Sequence, residues 1–292
     1  MQKVLYLLTL LLITVYTYAD VSPVVINRLT NNEGLSNSSV NVIYQDSNNL
    51  MWFGTWDGLN LYNSREFKTF KPNPNVPGNI TNNIIRDIIE TTKGKLWITT
   101  DNGINLYTPE AMRFQSFFYD NKENTIFKER SFLICKNSHN KVIASVYNTG
   151  LYYFDEELSD FILIRNLKET SLKKLFFDKD DNLWLFTDNN SLYRVNLDWS
   201  KNKPDIKDIK PVILSQSSHD VFYNLYTNQI WEQNENRHIN IYDVPTETKI
   251  TEIPFSKVIS SIIFEKTGYI IGTANGLFSI QAPNHEITTL IE

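Results

Sequence analysis

A motif that returns along the chain constrains its folding more than any other feature. It reads Leu50-Met51-Trp52-Phe53-Gly54-Thr55-Trp56-Asp57-Gly58-Leu59-Asn60-Leu61-Tyr62, and again Leu96-Trp97-Ile98-Thr99-Thr100-Asp101-Asn102-Gly103-Ile104-Asn105-Leu106-Tyr107. Reduced copies follow around Ile143, Trp184 and Ile270. Aligning Trp52, Trp97, Ile143, Trp184, Trp231 and Ile270 gives a period of roughly 40 to 47 residues, the range of propeller blades. One such unit cannot bury its own apolar side chains, so the units must stack on one another.

Within the first repeat, Val40-Gln45 reads as a strand, Asp46-Asn49 as a polar turn and Leu50-Thr55 as the returning strand. Asp57-Gly58 makes the next hairpin into Leu59-Tyr62, and Phe67-Phe70 is a fourth strand. Inner segments such as Leu50-Phe53, Ile88-Ile89, Phe176-Phe177 and Ile262-Phe264 place apolar side chains on both faces, so each sheet must be covered twice. The expected class is therefore all-β, a β-propeller of four-stranded antiparallel blades. Six repeats are traceable, at 35-72, 80-120, 127-166, 170-214, 217-255 and 257-292, either as the whole set or as an incomplete seven-bladed ring. The fifth is degenerate, with Glu232-Arg237 where a glycine turn is due. Val24-Leu29 has strand character and no partner within its own repeat.

Ahead of the repeats, Lys3, the apolar run Val4-Val15 and the small residue Ala19 have the layout of a secretory signal, residues 1-19, with an uncleaved anchor as the alternative. Residues 20-292 then form one propeller domain, exported to the periplasm or beyond, with no membrane span in the mature chain. A net charge of -5 supplies no basic surface for nucleic acid. Cys135 is the single cysteine and sits in an apolar run, which favours a buried inert thiol over a nucleophile.

The pattern Gly34-Leu35-Ser36, Tyr44-Gln45-Asp46, Leu50-Thr55 and Asp57-Tyr62 resembles the two-component regulator propeller repeat. That resemblance implies the periplasmic sensor part of a hybrid two-component or related one-component regulator that detects oligosaccharides. Such sensors continue through further blades, a small β-sandwich, a transmembrane helix and output modules, none of which follows here. The expectation is a truncated sensor unable to signal alone, with a stand-alone exported interaction module as the alternative and a functionless remnant as a third reading. The partners so implied are an oligosaccharide, the remaining sensor or kinase part, or a second protomer.

No catalytic set is legible. Asp178-Asn182 begins like a calcium loop but lacks the central glycine and distal glutamate, and it falls on a repeat turn. His139, His219, His238 and His285 have no metal-ligand spacing. Tyr147, His238 and Glu265 are of types used by propeller lyases and hydrolases, yet nothing in their spacing pairs an acid with a base. The expectation is no enzyme, no cofactor and no metal. Propeller geometry instead directs a ligand to the face where second-to-third-strand turns emerge. The candidates there are Trp56, Asp57, Arg86, Asp101, Asn102, Tyr147, Asn148, Asn189 and Asn275, whose aromatic faces, amides and carboxylates suit a sugar. For Asp57, Asn102 and Asn275 the competing reading is turn formation before glycine.

Overall fold

A computed structural model describes residues 28-92, 94-118, 132-167, 170-201, 203-215, 218-266, 268-281 and 284-291. The expected signal segment and residues 24-27 of the strand expected at Val24-Leu29 lie outside them, and Arg28 and Leu29 are not in a strand. Blade 1 is β1 (Val40–Gln45), β2 (Met51–Thr55), β3 (Gly58–Tyr62) and β4 (Phe67–Phe70). Blade 2 is β5 (Ile85–Glu90), β6 (Leu96–Thr100), β7 (Gly103–Thr108) and β8 (Arg113–Phe117). Blade 3 is β9 (Phe132–Lys136), β10 (Val142–Val146), β11 (Gly150–Asp155) and β12 (Asp160–Asn166). Blade 4 is β13 (Leu172–Phe177), β14 (Leu183–Thr187), β15 (Leu192–Asp198) and β16 (Asp205–Val212). Blade 5 is β17 (Ser218–Asn224), β18 (Gln229–Asn234), β19 (Ile239–Asp243) and β20 (Lys249–Ile253). Blade 6 is β21 (Ile259–Phe264), β22 (Gly268–Thr273), β23 (Gly276–Gln281) and β24 (Glu286–Ile291).

Each blade is a sheet of four antiparallel strands in sequence order, and the six blades are arranged as a propeller. The first strand of each lies innermost. Asn41 Nδ2 donates to the carbonyl of Ile85, and Lys174 Nζ to that of Val221, so side chains join the inner edges of neighbouring blades.

The recurrent tryptophan explains the stacking. Trp52 lies in the apolar cluster between blades 1 and 2, Trp97 between 2 and 3, Ile143 between 3 and 4, Trp184 between 4 and 5, and Trp231 between 5 and 6. Each fills the wedge that opens as two sheets diverge from the axis. β6 and β14 are consequently buried along their whole length. Contact is close enough at Gly54 that a Cβ would stand 2.5 Å from Val42 Cγ1 and 2.6 Å from Ile85 Cγ2.

No such cluster of buried residues spans blades 6 and 1 among the described residues. Strand register makes Ile43 the equivalent of Ile88, yet Ile88 is 2% exposed and Ile43 57%. On the other side of the seam Ile263 is 58% and Leu277 38% exposed, and Ile270, at the tryptophan position, is half-buried. Among the described residues, nothing covers these apolar faces of blades 1 and 6.

A second recurrent pair holds the wedge residues. Asp46 accepts the N–H groups of Asn48 and Leu50 and the indole Nε1 of Trp52 at 2.9 Å each. Asp178 does the same for Asp180, Asn182 and Trp184, whose Nε1 lies 2.8 Å away. Its oxygens are thus committed to a turn, and the described residues hold no group of three metal-ligating side chains. In blade 5 the position is Asn224, and both its Nδ2 and the Nε1 of Trp231 lack a partner among the described residues. Asp178→Asn should reproduce that mismatch in blade 4 and cost about 1–3 kcal/mol in chemical denaturation.

The fifth repeat closes without its glycine. Asn234 and His238 bond across the turn, with Arg237 at φ 66°. Gln233, standing where blade 1 has Gly54, donates to the carbonyls of Arg237 and Lys257 and accepts the N–H of Ile259, tying the turn to blade 6.

Candidate functional site

The two ends of the propeller differ in how far their polar groups are spent. On the end carrying the first-to-second-strand turns, neighbouring turns are latched together. Glu90 accepts the N–H and hydroxyl of Ser47, Asp181 accepts those of Ser138, and Lys179 donates its N–H to Tyr223 and its Nζ to the carbonyl of Tyr226. A cleft of about 500 Å³ between blades 3 and 4 opens there, and its charges are largely paired internally: His139 with Asp181, Lys141 with Glu156 and Tyr153 with Asp155.

The opposite end carries the second-to-third-strand turns. Thr55 Oγ1 donates to the carbonyl of Gly58 and accepts the N–H of Asp57; Thr100 does so for Gly103 and Asn102, and Thr273 for Gly276 and Asn275. Gly58 adopts φ 128° at this corner, a conformation closed to residues with a Cβ. The main chains of Asp57, Asn102 and Asn275 thus serve the turn. The carboxylate of Asp57 meets Lys71 at 2.6 Å.

Trp56 has no part in the turn hydrogen bonds through its side chain and is 50% exposed. Its ring lies 5.3 Å from the guanidinium of Arg86, which grips Asp101 in two parallel bonds of 2.5 and 3.0 Å. Arg86 reaches the turn because β5 bulges between Ile85 and Asp87, which re-aims the intervening side chain. The same bulge in β13 lets Lys173 reach Asn190 at 2.7 Å. Indole, guanidinium and carboxylate so form one preorganised surface across blades 1 and 2.

The nine candidates do not converge on one site. Trp56, Arg86 and Asp101 are joined. Tyr147 and Asn148 lie exposed on blade 3, where Asn148 takes a left-handed conformation, and Asn275 lies exposed on blade 6. Asn189 lines a separate cleft of about 400 Å³ between blades 3 and 4, with Arg165, Thr170, Ser171, Asp188 and Tyr193. Arg165 and Tyr193 were not singled out in the sequence, because they belong to a fourth and a third strand and only the packing of two blades brings them to this rim. His238 bonds Glu252 rather than Tyr147 or Glu265. Cys135 is buried and unpaired, and burial, with the nearby charge of Asp87, pushes its thiol well above the ordinary range.

Residues 34–57 match the two component regulator propeller family. No curated protein sequence matches the chain. Among solved structures it is similar to the extracellular domain of BT3049 of B. thetaiotaomicron, described as a hybrid two component system, with a TM-score of 0.71 at 21% identity over 92% of this chain and 37% of that one. It is also similar to the extracellular domain of BT4673 of the same organism, described as a one component system, with a TM-score of 0.67 at 18% identity over 86% of this chain and 36% of the other. The Pan2 WD40 domain of Neurospora crassa matches more distantly, with a TM-score of 0.56 at 12% identity over 84% and 76% of the two chains. At these identities the likeness establishes the fold. The chain spans little more than a third of the length of the two bacterial domains.

Proposed function

We propose that this chain, which carries the two component regulator propeller repeat, is a non-catalytic, exported sensor that binds an oligosaccharide on the face presenting Trp56. The observation that carries this reading is the exposed indole fixed against Arg86 and Asp101. A pyranose offers CH groups to an aromatic face and hydroxyls to a guanidinium and a carboxylate, and the preset geometry lowers the ordering cost of binding. The expected location is the periplasm or cell exterior, in keeping with the relatives described as extracellular domains. Output falls to a kinase part or other partner.

The test is a thermal melt of residues 20–292 against plant, host and microbial oligosaccharides, since a ligand of the native state raises the midpoint. One glycan class should shift the melt, and Trp56→Ala should weaken its binding at least tenfold, about 1.4 kcal/mol. A broad panel without a shift overturns the sensor reading, and a released product overturns the non-catalytic one.

The exposed apolar faces of blades 1 and 6 favour a second reading, that of an interaction module completed by a further blade. Ile43, Ile263 and Leu277 are the kind of apolar surface that a stacked sheet covers. Mixing the chain with a polypeptide of additional repeats should give a stoichiometric complex in sedimentation, and a monomer indifferent to such a partner rules this reading out.

A further inference from the structure

The central channel holds a charge for which the described residues supply no counterion. Asp87, Leu133 and Lys174 occupy matching register in β5, β9 and β13, each one strand-step after the innermost strand's opening pair. Together with residues of β17 and β21 they line one cavity of about 420 Å³. Lys174 is well served there: its Nζ meets Asp220 Oδ1 at 2.8 Å and the Val221 carbonyl at 2.7 Å, and it lies 3.6 Å from the centre of the Phe222 ring. The Lys174–Asp220 pair is neutral as a unit. Among the described residues Asp87 is met only by the backbone N–H of Ile88, at 2.8 Å, and no cation pairs with it.

Four properties of the cavity narrow what it can take. A carboxylate drawn out of bulk water is stabilised by an arriving cation. A single carboxylate without companion ligands is a poor divalent-metal site, since such ions require several oxygens. Lys174 is already neutralised by Asp220, and Lys173, which also lines the cavity, is tied to Asn190 Oδ1 at 2.7 Å. Leu133, Phe222, Ile262 and Phe264 give the cavity an apolar side, with Lys173 and Tyr223 also in its lining.

We propose that the channel binds a small organic amine, with its ammonium on Asp87 and an apolar body against Leu133, Phe222, Ile262 and Phe264. This site is separate from the Trp56 surface and stands or falls independently of it. Burial in the channel raises the Asp87 carboxyl to about 6, against the opposing hydrogen bond from Ile88. The titratable groups of the described residues that face it are Tyr44 on β1, Cys135 on β9, Lys173 and Lys174 on β13, and Asp220 and Tyr223 on β17; burial keeps the Cys135 thiol and the Tyr44 and Tyr223 phenols protonated through neutral pH. Since the ammonium needs the ionised carboxylate, affinity should be full at pH 7.5 and fall about tenfold by pH 5, with the turn near 6.

Calorimetric titration of the mature chain with 2-phenylethylamine and hexylamine tests this, with 2-phenylethanol and hexanoate as neutral and anionic counterparts. The amines should bind, the counterparts should bind at least tenfold more weakly, and Asp87→Asn should reduce amine affinity at least tenfold. The variant removes only a desolvated charge, so its melt should lie no lower than that of the parent chain. The pH series and the counterparts test the site on the unaltered chain. Absence of amine binding at millimolar concentration, equal binding of the alcohol, preference for hexanoate, affinity flat across pH 6, or retention of affinity in Asp87→Asn each overturns the assignment.

Discussion

Ile88→Lys is expected to abolish cooperative folding, whereas Ile43→Lys, the same change at the same strand position one blade earlier, should shift stability by no more than about 0.5 kcal/mol. Ile88 lies in the cluster closed by Trp52, Leu59 and Tyr107, and a lysine there places an ammonium among apolar side chains with no carboxylate to meet it. Such substitutions cost more than about 4 kcal/mol. Ile43 looks out from blade 1 onto the seam, where it is exposed among the described residues. Circular dichroism melts of the two variants give the contrast directly. Equal damage at both positions would mean that blades 6 and 1 close on each other in solution or that another molecule fills the seam. Sedimentation of the parent chain separates those two cases.

Glu232→Ala should be the most damaging change in the fifth repeat. The Glu232 side chain is wholly buried and receives three neutral donors: the hydroxyls of Ser215 and Ser218 on one oxygen, and Asn240 Nδ2 at 2.9 Å on the other, with the Tyr242 hydroxyl, whose single proton is shared with the Leu214 carbonyl at 2.6 Å, 3.2 Å from that second oxygen. Burial, and then the charge of Glu232 beside it, holds the Tyr242 phenol far above its ordinary range. Removing the carboxylate leaves several buried donors without an acceptor, a loss of roughly 3–5 kcal/mol. For a chain of this size that corresponds to a fall of roughly 6–20 °C in the midpoint. Glu232→Gln keeps the volume but turns an N–H toward other donors, so it should fall between the parent and the alanine variant. A midpoint within about 2 °C of the parent for Glu232→Ala would show that the network does not hold the blade.

These two expectations mark where reading the residues in order succeeds and where it stops. Strand limits in the first repeat follow from local patterning: Val40–Gln45 and Phe67–Phe70 are strands as the alternation and turn residues predict, and β2 begins at Met51, one residue after the expected start. The degenerate fifth repeat was legible as a departure, but its remedy was not. Gln233 and Glu232 look like misplaced polar residues until their partners, Lys257, Ile259, Asn240 and Tyr242, are brought to them by the next blade and by the adjoining strand. The candidate surface divides similarly. Trp56 stands out in the sequence because an indole serves no purpose in a tight turn, while its setting depends on Arg86, which only the bulge in β5 turns toward it.

The sequence by itself determined the blade: its period, its strand order and the large residue that fills each wedge. Those properties arise from residues a few positions apart, in hairpins whose pairing is local. Only the tertiary structure decided which of the equivalent faces is covered, which buried charge is satisfied and which is left open to the channel. Ile43 and Ile88, or Asp87 and Asp220, are alike as letters in a repeat. They differ because coverage and charge pairing come from a neighbouring blade about 40 residues away, and among the described residues blades 6 and 1 do not give each other the cover that the other neighbours do.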